Sequence, residues 1–295
     1  MSKRRRFLCI SLAGVLIALS ALLFLRPGEP SYQGNLLSTW LAELSNGSSE
    51  DRKAAEVAIR EIGTNALPIL LQELRASDDS PVKMKLWELA ERQKFIKIHV
   101  TLVSDRWERA LNGFEALGAT AKPAVPELVA MLGAPDTAAR AAMALMNIGS
   151  ESVPPLMDAL TSSNLLMRAW AAEALGILHT DAKPAIPRLL KCLGDPIPLV
   201  RSAAAKTLGY IGEEPDLVVP ALVICLEDTN RFVKVAAIGA LGSFGKDAKR
   251  VVPLLLKLVE SKERARLSDY GSSVGSEAVN ALKRINPEAA AQVNH

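Results

Sequence analysis

The chain has 295 residues, 49% of them apolar but only 4% aromatic. Such a composition can bury a sizeable core of small and aliphatic side chains, which suits close-packed helices better than sheets. The formal net charge of +3 includes five positives at Lys3, Arg4, Arg5, Arg6 and Arg26; the remaining chain carries −2, which argues against a binder of phosphate backbones.

In chain order, residues 1–6 form a basic tail, MSKRRR. Residues 7–25, FLCISLAGVLIALSALLFL, contain no charge and match the length of a membrane-spanning helix. The positives before this stretch predict a cytoplasmic N-terminus and an extracytoplasmic remainder, periplasmic in a bacterium. Ala18-Leu19-Ser20 has the spacing of a signal-peptidase site, but apolar Ala21–Leu25 follows it. An uncleaved signal anchor is therefore favoured; cleavage would give a secreted protein. Residues 26–35, RPGEPSYQGN, read as a linker.

Residues 36–286 repeat themselves. RAWAAEALGILH at 168–179, RSAAAKTLGYIG at 201–212 and KVAAIGALGSFG at 234–245 are near copies. Gly63, Gly118, Gly149, His179, Gly212, Gly245 and Asn286 serve as equivalent end points. Eight residues before each is an alanine, from Ala55 and Ala110 to Ala278. Five before is a small residue in six units and Thr207 in the other. Four before and one before are large and apolar, as in Leu208 and Ile211. These offsets mark one stripe of a helix, and the mostly glycine end points predict left-handed C-terminal caps. Ahead of each lies another apolar helix; six carry a proline near the start, at Pro68, Pro126, Pro154, Pro187, Pro220 and Pro253.

The expected architecture is all-α: a right-handed α-solenoid of about seven helix–turn–helix repeats plus an N-terminal transmembrane helix. Longer units predict insertions near 77–105 and 261–275, and 287–295 reads as a C-terminal tail. The first insertion has helical spacing with a basic face and reads as an extra helix; a docking element is the alternative.

Paired helices, the early proline and Asp195 placed six residues before Arg201 resemble HEAT repeats, most closely the bacterial HEAT-like or phycobilisome-lyase type. In that family the Asp and Arg form a hydrogen-bond ladder between repeats. Asp228 with Lys234, Ser162 with Arg168 and Asn46 with Arg52 are weaker matches, and Arg140 is two residues out of register, so the resemblance implies a patchy ladder. It also offers an alternative function, a lyase-like or enzyme-associated subunit. HEAT-repeat deoxyhypusine hydroxylases hold iron through His-Glu dipeptides; His99, His179 and His295 form none here.

No catalytic, metal or cofactor motif is found: the histidines lack zinc-ligand spacing, and no nucleophile elbow occurs. Cys192 and Cys225 occupy a core slot, too far apart in stacked repeats for a disulfide. Offsets −9, −6 and −2 should point away from the buried stripe. There Arg109, Arg140, Trp170, Lys206 and Tyr210 are of types enriched at interface hot spots, and they define a candidate groove for a protein or peptide partner. The reading is a non-enzymatic, membrane-anchored scaffold; nucleic-acid binding is disfavoured by charge.

Overall fold

The computed structural model describes residues 28–77, 103–260 and 274–293. The predicted anchor at 7–25 and most of both predicted insertions lie outside them. Among the described residues no helix is long and apolar enough to cross a membrane.

The linker expected over 26–35 ends as a β-hairpin, with β1 (Ser31–Tyr32) antiparallel to β2 (Asn35–Leu36). Gln33 and Gly34 between them both have positive φ, as a tight primed turn requires. Two-residue strands are too short to show a period, so the turn residues alone read as a linker. Trp40 Nε1 donates to the Tyr32 carbonyl at 3.2 Å, fastening the hairpin to the first helix.

Seven helix pairs follow: α1 (Leu37–Asn46) with α2 (Ser49–Ile62), α3 (Leu67–Leu74) with α4 (Val103–Leu117), α5 (Val125–Met131) with α6 (Pro135–Ile148), α7 (Val153–Ala159) with α8 (Leu165–Ile177), α9 (Ile186–Cys192) with α10 (Pro198–Ile211), α11 (Pro215–Ile224) with α12 (Arg231–Ser243), and α13 (Val252–Glu260) with α14 (Val274–Ile285). In place of the expected tail, α15 (Pro287–Val293) covers the last pair with buried Ala289 and Ala290. Asn286 is its cap, accepting from the Ala289 N–H, rather than a left-handed end point.

The predicted stripe is the core. All seven alanines at offset −8 have 0% exposure, and the large residues at −4, among them Phe114, Leu208 and Leu282, are equally buried. Pro68, Pro126, Pro154 and Pro187 occupy a first turn, where the missing N–H has no intrahelical partner. Pro220 does not: α11 starts earlier, at Pro215, and Pro220 lies inside it.

The six end points from Gly63 to Gly245, His179 included, all have positive φ. They are not interchangeable. Gly212 sits in the left-handed helical well at φ 65°, ψ 17°, whereas Gly149 has φ 84°, ψ −146°. Only glycine adopts the latter region readily. A Cβ on Gly149 would meet nothing within 4 Å, so its cost is backbone strain alone. Gly149→Ala is expected to destabilise by about 2–3 kcal/mol and Gly212→Ala by about 1 kcal/mol, measurable by urea unfolding.

The second helices pack on one another more tightly than the first helices do. Glycines three residues before the end points explain this in the C-terminal units. A Cβ on Gly176 would lie 2.8 Å from Thr207 Oγ1, one on Gly209 2.6 Å from Ala240 Cα, and one on Gly242 3.1 Å from Ala281 Cα. Side-chain bonds add to the contact: Thr207 Oγ1 donates to the Ala172 carbonyl at 2.7 Å, and Asn147 Nδ2 to that of Leu111 at 3.0 Å. A closely spaced row of second helices beside a looser row of first helices curves the array, with the second helices on the concave side.

Candidate functional site: the concave face of the second helices

The ladder that holds the turns runs through units four to six. Arg168 donates to both carboxylate oxygens of Asp195, at 2.8 and 3.1 Å, and Arg201 does the same to Asp228, at 2.7 and 2.9 Å. Each arginine also donates to carbonyls of its own turn, Arg168 to Ser162 and Arg201 to Asp195. Each aspartate caps the next helix start through the N–H of Ile197 or Asn230. Arg168 is thus a full rung although Ser162 replaces the expected aspartate, because its acid comes from the following unit.

These contacts move the acids. Burial pushes Asp195 up, but hydrogen bonds from Arg168 and Ile197 and the two arginine charges outweigh it and hold the carboxyl below the usual range. For Asp228 the Arg201 hydrogen bond dominates and the result is also lowered. Cys192 and Cys225 are free and buried, and burial raises both thiols, Cys225 to about 11. They are poor nucleophiles at neutral pH.

The five predicted groove residues do not form one cluster. Arg140, displaced from the ladder register, points back a unit: its NH1 donates to the Leu74 and Ala76 carbonyls at 2.6 and 3.0 Å, with its guanidinium 3.9 Å over the Trp107 ring. It caps the end of α3. Arg109 folds onto its own helix, Nε donating to the Asp105 carbonyl at 3.2 Å. Trp170 is half-buried against the core. Lys206 is exposed and pairs with Glu173 at 3.3 Å. Tyr210 is 53% exposed, its ring edge-on to His179. Several small members of the ridge turn out buried, namely Ala116, Ala203 and Ala236, because neighbouring helices cover so short a side chain.

Lys206 and Tyr210 do line a groove, but it lies further along than expected, between α10, α12 and α14. It measures about 460 Å³. Its floor is Ala236, Gly239 and Ala240, and Phe232, Glu277 and Arg284 complete it. Sequence reasoning missed those last three; offset −6 puts Gly239 on the outward face, but not in the candidate groove. The available signal was a drop in size at offset −6, where Gly239 follows Asn112, Met143, Glu173 and Lys206. Phe232 is 59% exposed, an unusual degree for a phenylalanine. Among the described residues no group of three or more His, Cys, Asp or Glu side chains could hold a metal ion.

Stacked helix pairs with capped ends, a turn ladder and a concave face of second helices define a helical-repeat solenoid. The family model for HEAT repeats matches residues 104–176, 125–197, 153–223 and 186–268, together more than half of the chain. The chain belongs to the HEAT-repeat family. Among solved structures, the karyopherin Kap121p bound to the SUMO protease Ulp1p is similar over 88% of this chain and 30% of its own, with 13% identity and a TM-score of 0.50. The complex of CpcE and CpcF of phycocyanin lyase from Nostoc sp. is 24% identical over 54% of this chain and 98% of that one, with a TM-score of 0.46. Human deoxyhypusine hydroxylase is 16% identical, covering 85% of this chain and 84% of its own, with a TM-score of 0.36. No curated protein matches the chain.

Proposed function

We propose that this protein is a membrane-anchored, non-enzymatic scaffold whose solenoid holds a protein or peptide partner on its concave face, on the extracytoplasmic side. The observation that carries the reading is the groove between α10, α12 and α14, where Tyr210 and Phe232 stand exposed over a glycine- and alanine-lined floor. Large aromatic side chains around a concavity are what interface hot spots are made of. The anchoring rests on residues 7–25 and the basic tail before them.

Two measurements test it. Protease added to intact cells stripped of any outer barrier should digest the repeat domain and spare the N-terminal tail; protection of the repeats would place them in the cytoplasm and revive the lyase-like alternative. Co-purification from detergent-solubilised native membranes should recover a partner that also binds as purified protein, and Lys206→Ala with Tyr210→Ala should weaken that binding at least ten-fold. Both side chains are exposed, so their removal leaves the core intact. Undiminished binding by the double variant would remove the concave face from the account.

A further inference from the structure

The groove between α10, α12 and α14 is chemically graded along its length. At one end Arg284 shares the lining with Tyr210 and Ser243, its Cδ 3.6 Å from where a Cβ on Gly242 would stand, and among the described residues it makes no ion pair. At the other end Phe232 is exposed, with Val235 one turn along and the Arg231 guanidinium 5.3 Å from its ring centroid outside the groove lining. Between them Glu277 lies on the α14 wall, its Oε1 3.2 Å from where a Cβ on Gly239 would stand. It too lacks an ion pair among the described residues, whereas Lys206 on the opposite wall is already neutralised by Glu173. From Ser243 to Phe232 is eleven residues of helix, about 16 Å, the reach of about five residues of extended chain.

We infer that this groove binds an extended peptide segment with a carboxylate at the Arg284 end, an apolar side chain about five residues away against Phe232, and no acidic residue between. The inference rests on the scaffold reading and deepens it by naming the ligand. A carboxylate at Arg284 supplies, in a charge-assisted hydrogen bond, the partner that no described residue provides. An acid in the middle would face Glu277 and be repelled. The apolar side chain covers Phe232, and Gly239 lets backbone approach the floor, since a bulky side chain there would stand in the groove.

The test uses the full chain in detergent micelles and unlabelled hexapeptides, read by isothermal titration calorimetry. The first probe is acetyl-Glu-Ser-Gly-Ser-Ser-Leu amide; the others replace Glu by Lys, Leu by Ser, or the central Gly by Glu. The first should bind at least ten-fold more tightly than each of the other three. Arg284→Glu, a surface change, should invert the Glu and Lys preference. Gly239→Met should abolish binding, and circular dichroism and thermal melting would show whether each variant is folded. Equal affinity for all four peptides, or a folded Arg284→Glu variant with the wild-type preference, would overturn the inference. So would a dimer that Gly239→Met dissolves, because a second copy would then be the occupant. Loss of the natural partner on Lys206→Ala with Tyr210→Ala, without peptide selectivity, would sink the peptide assignment and leave the scaffold standing. Peptide selectivity with no natural partner would do the reverse.

Discussion

Gly209→Ala is expected to destabilise the C-terminal half of the array by about 2 kcal/mol, although it adds one methyl group and improves helix propensity. Alanine in a helix interior is favoured over glycine by about 1 kcal/mol, so propensity alone predicts a gain. Packing reverses the sign. The new Cβ would stand 2.6 Å from Ala240 Cα and 2.7 Å from Ala240 Cβ. The obstacle is backbone rather than the tip of a flexible side chain, so α12 itself has to move. It is held on its far side by α14, where a Cβ on Gly242 would stand 3.1 Å from Ala281 Cα. Overpacking in a close-packed core typically costs about 1–3 kcal/mol, and a contact this short belongs at or above the upper end. Urea unfolding should show the loss, and adding Ala240→Gly should recover part of it. Gly194→Ala is the control: its Cβ would meet only the Lys191 carbonyl at an ordinary 3.6 Å, and the change should stay within about 0.5 kcal/mol. A neutral Gly209→Ala would mean that the second helices are not spaced by this contact.

The second large effect belongs to the turn ladder. Asp195→Ala removes a carboxylate that accepts two hydrogen bonds from Arg168 and one from the Ile197 N–H, and it strands a guanidinium whose side chain is only 13% exposed. Breaking a largely buried pair from one side leaves an uncompensated charge, and the expected loss is about 2–4 kcal/mol. The exposed turn pair Lys183–Glu213 is the contrast, at 51% and 40% exposure; Glu213→Ala should cost less than about 1 kcal/mol because solvent already screens it. The ladder also sets an acid dependence. Asp195 and Asp228 have lowered pKa values in the folded state, so their stabilisation is fully present above the unfolded carboxyl value of about 3.9 and is lost as pH falls through the folded values. The melting temperature of the wild type should therefore fall below about pH 4 more steeply than that of a variant carrying Asp195→Asn and Asp228→Asn. Parallel curves would show that these two acids do not carry the acid transition.

Much of this architecture is legible in the chain itself. The alanines at Ala55 through Ala278 recur at a fixed distance from each helix end, and every one is fully buried. The end points Gly63 to Gly245 announced their positive φ, and even His179 obeys the position rather than its residue type. The ladder was legible only as a motif. Its actual bonds join Arg168 to Asp195 and Arg201 to Asp228, each arginine taking its acid from the next unit. Arg140 shows the limit most clearly: counting offsets placed it on the binding ridge, but its long side chain reaches back to the Leu74 and Ala76 carbonyls.

The sequence by itself determined which side of each helix is buried, because a repeating small and large apolar pattern leaves a helix only one face to hide from water. It determined the repeat, the capped turns and the membership of the HEAT-repeat family for the same reason: these are local and periodic. The tertiary structure alone decided which exposed residues share a groove. Tyr210, Phe232, Gly239 and Arg284 lie on three different helices and become neighbours only through how closely those helices pack. That spacing is set by backbone contacts at Gly209 and Gly242, where the absence of a side chain, invisible to any pattern of hydrophobicity, fixes the distance between second helices.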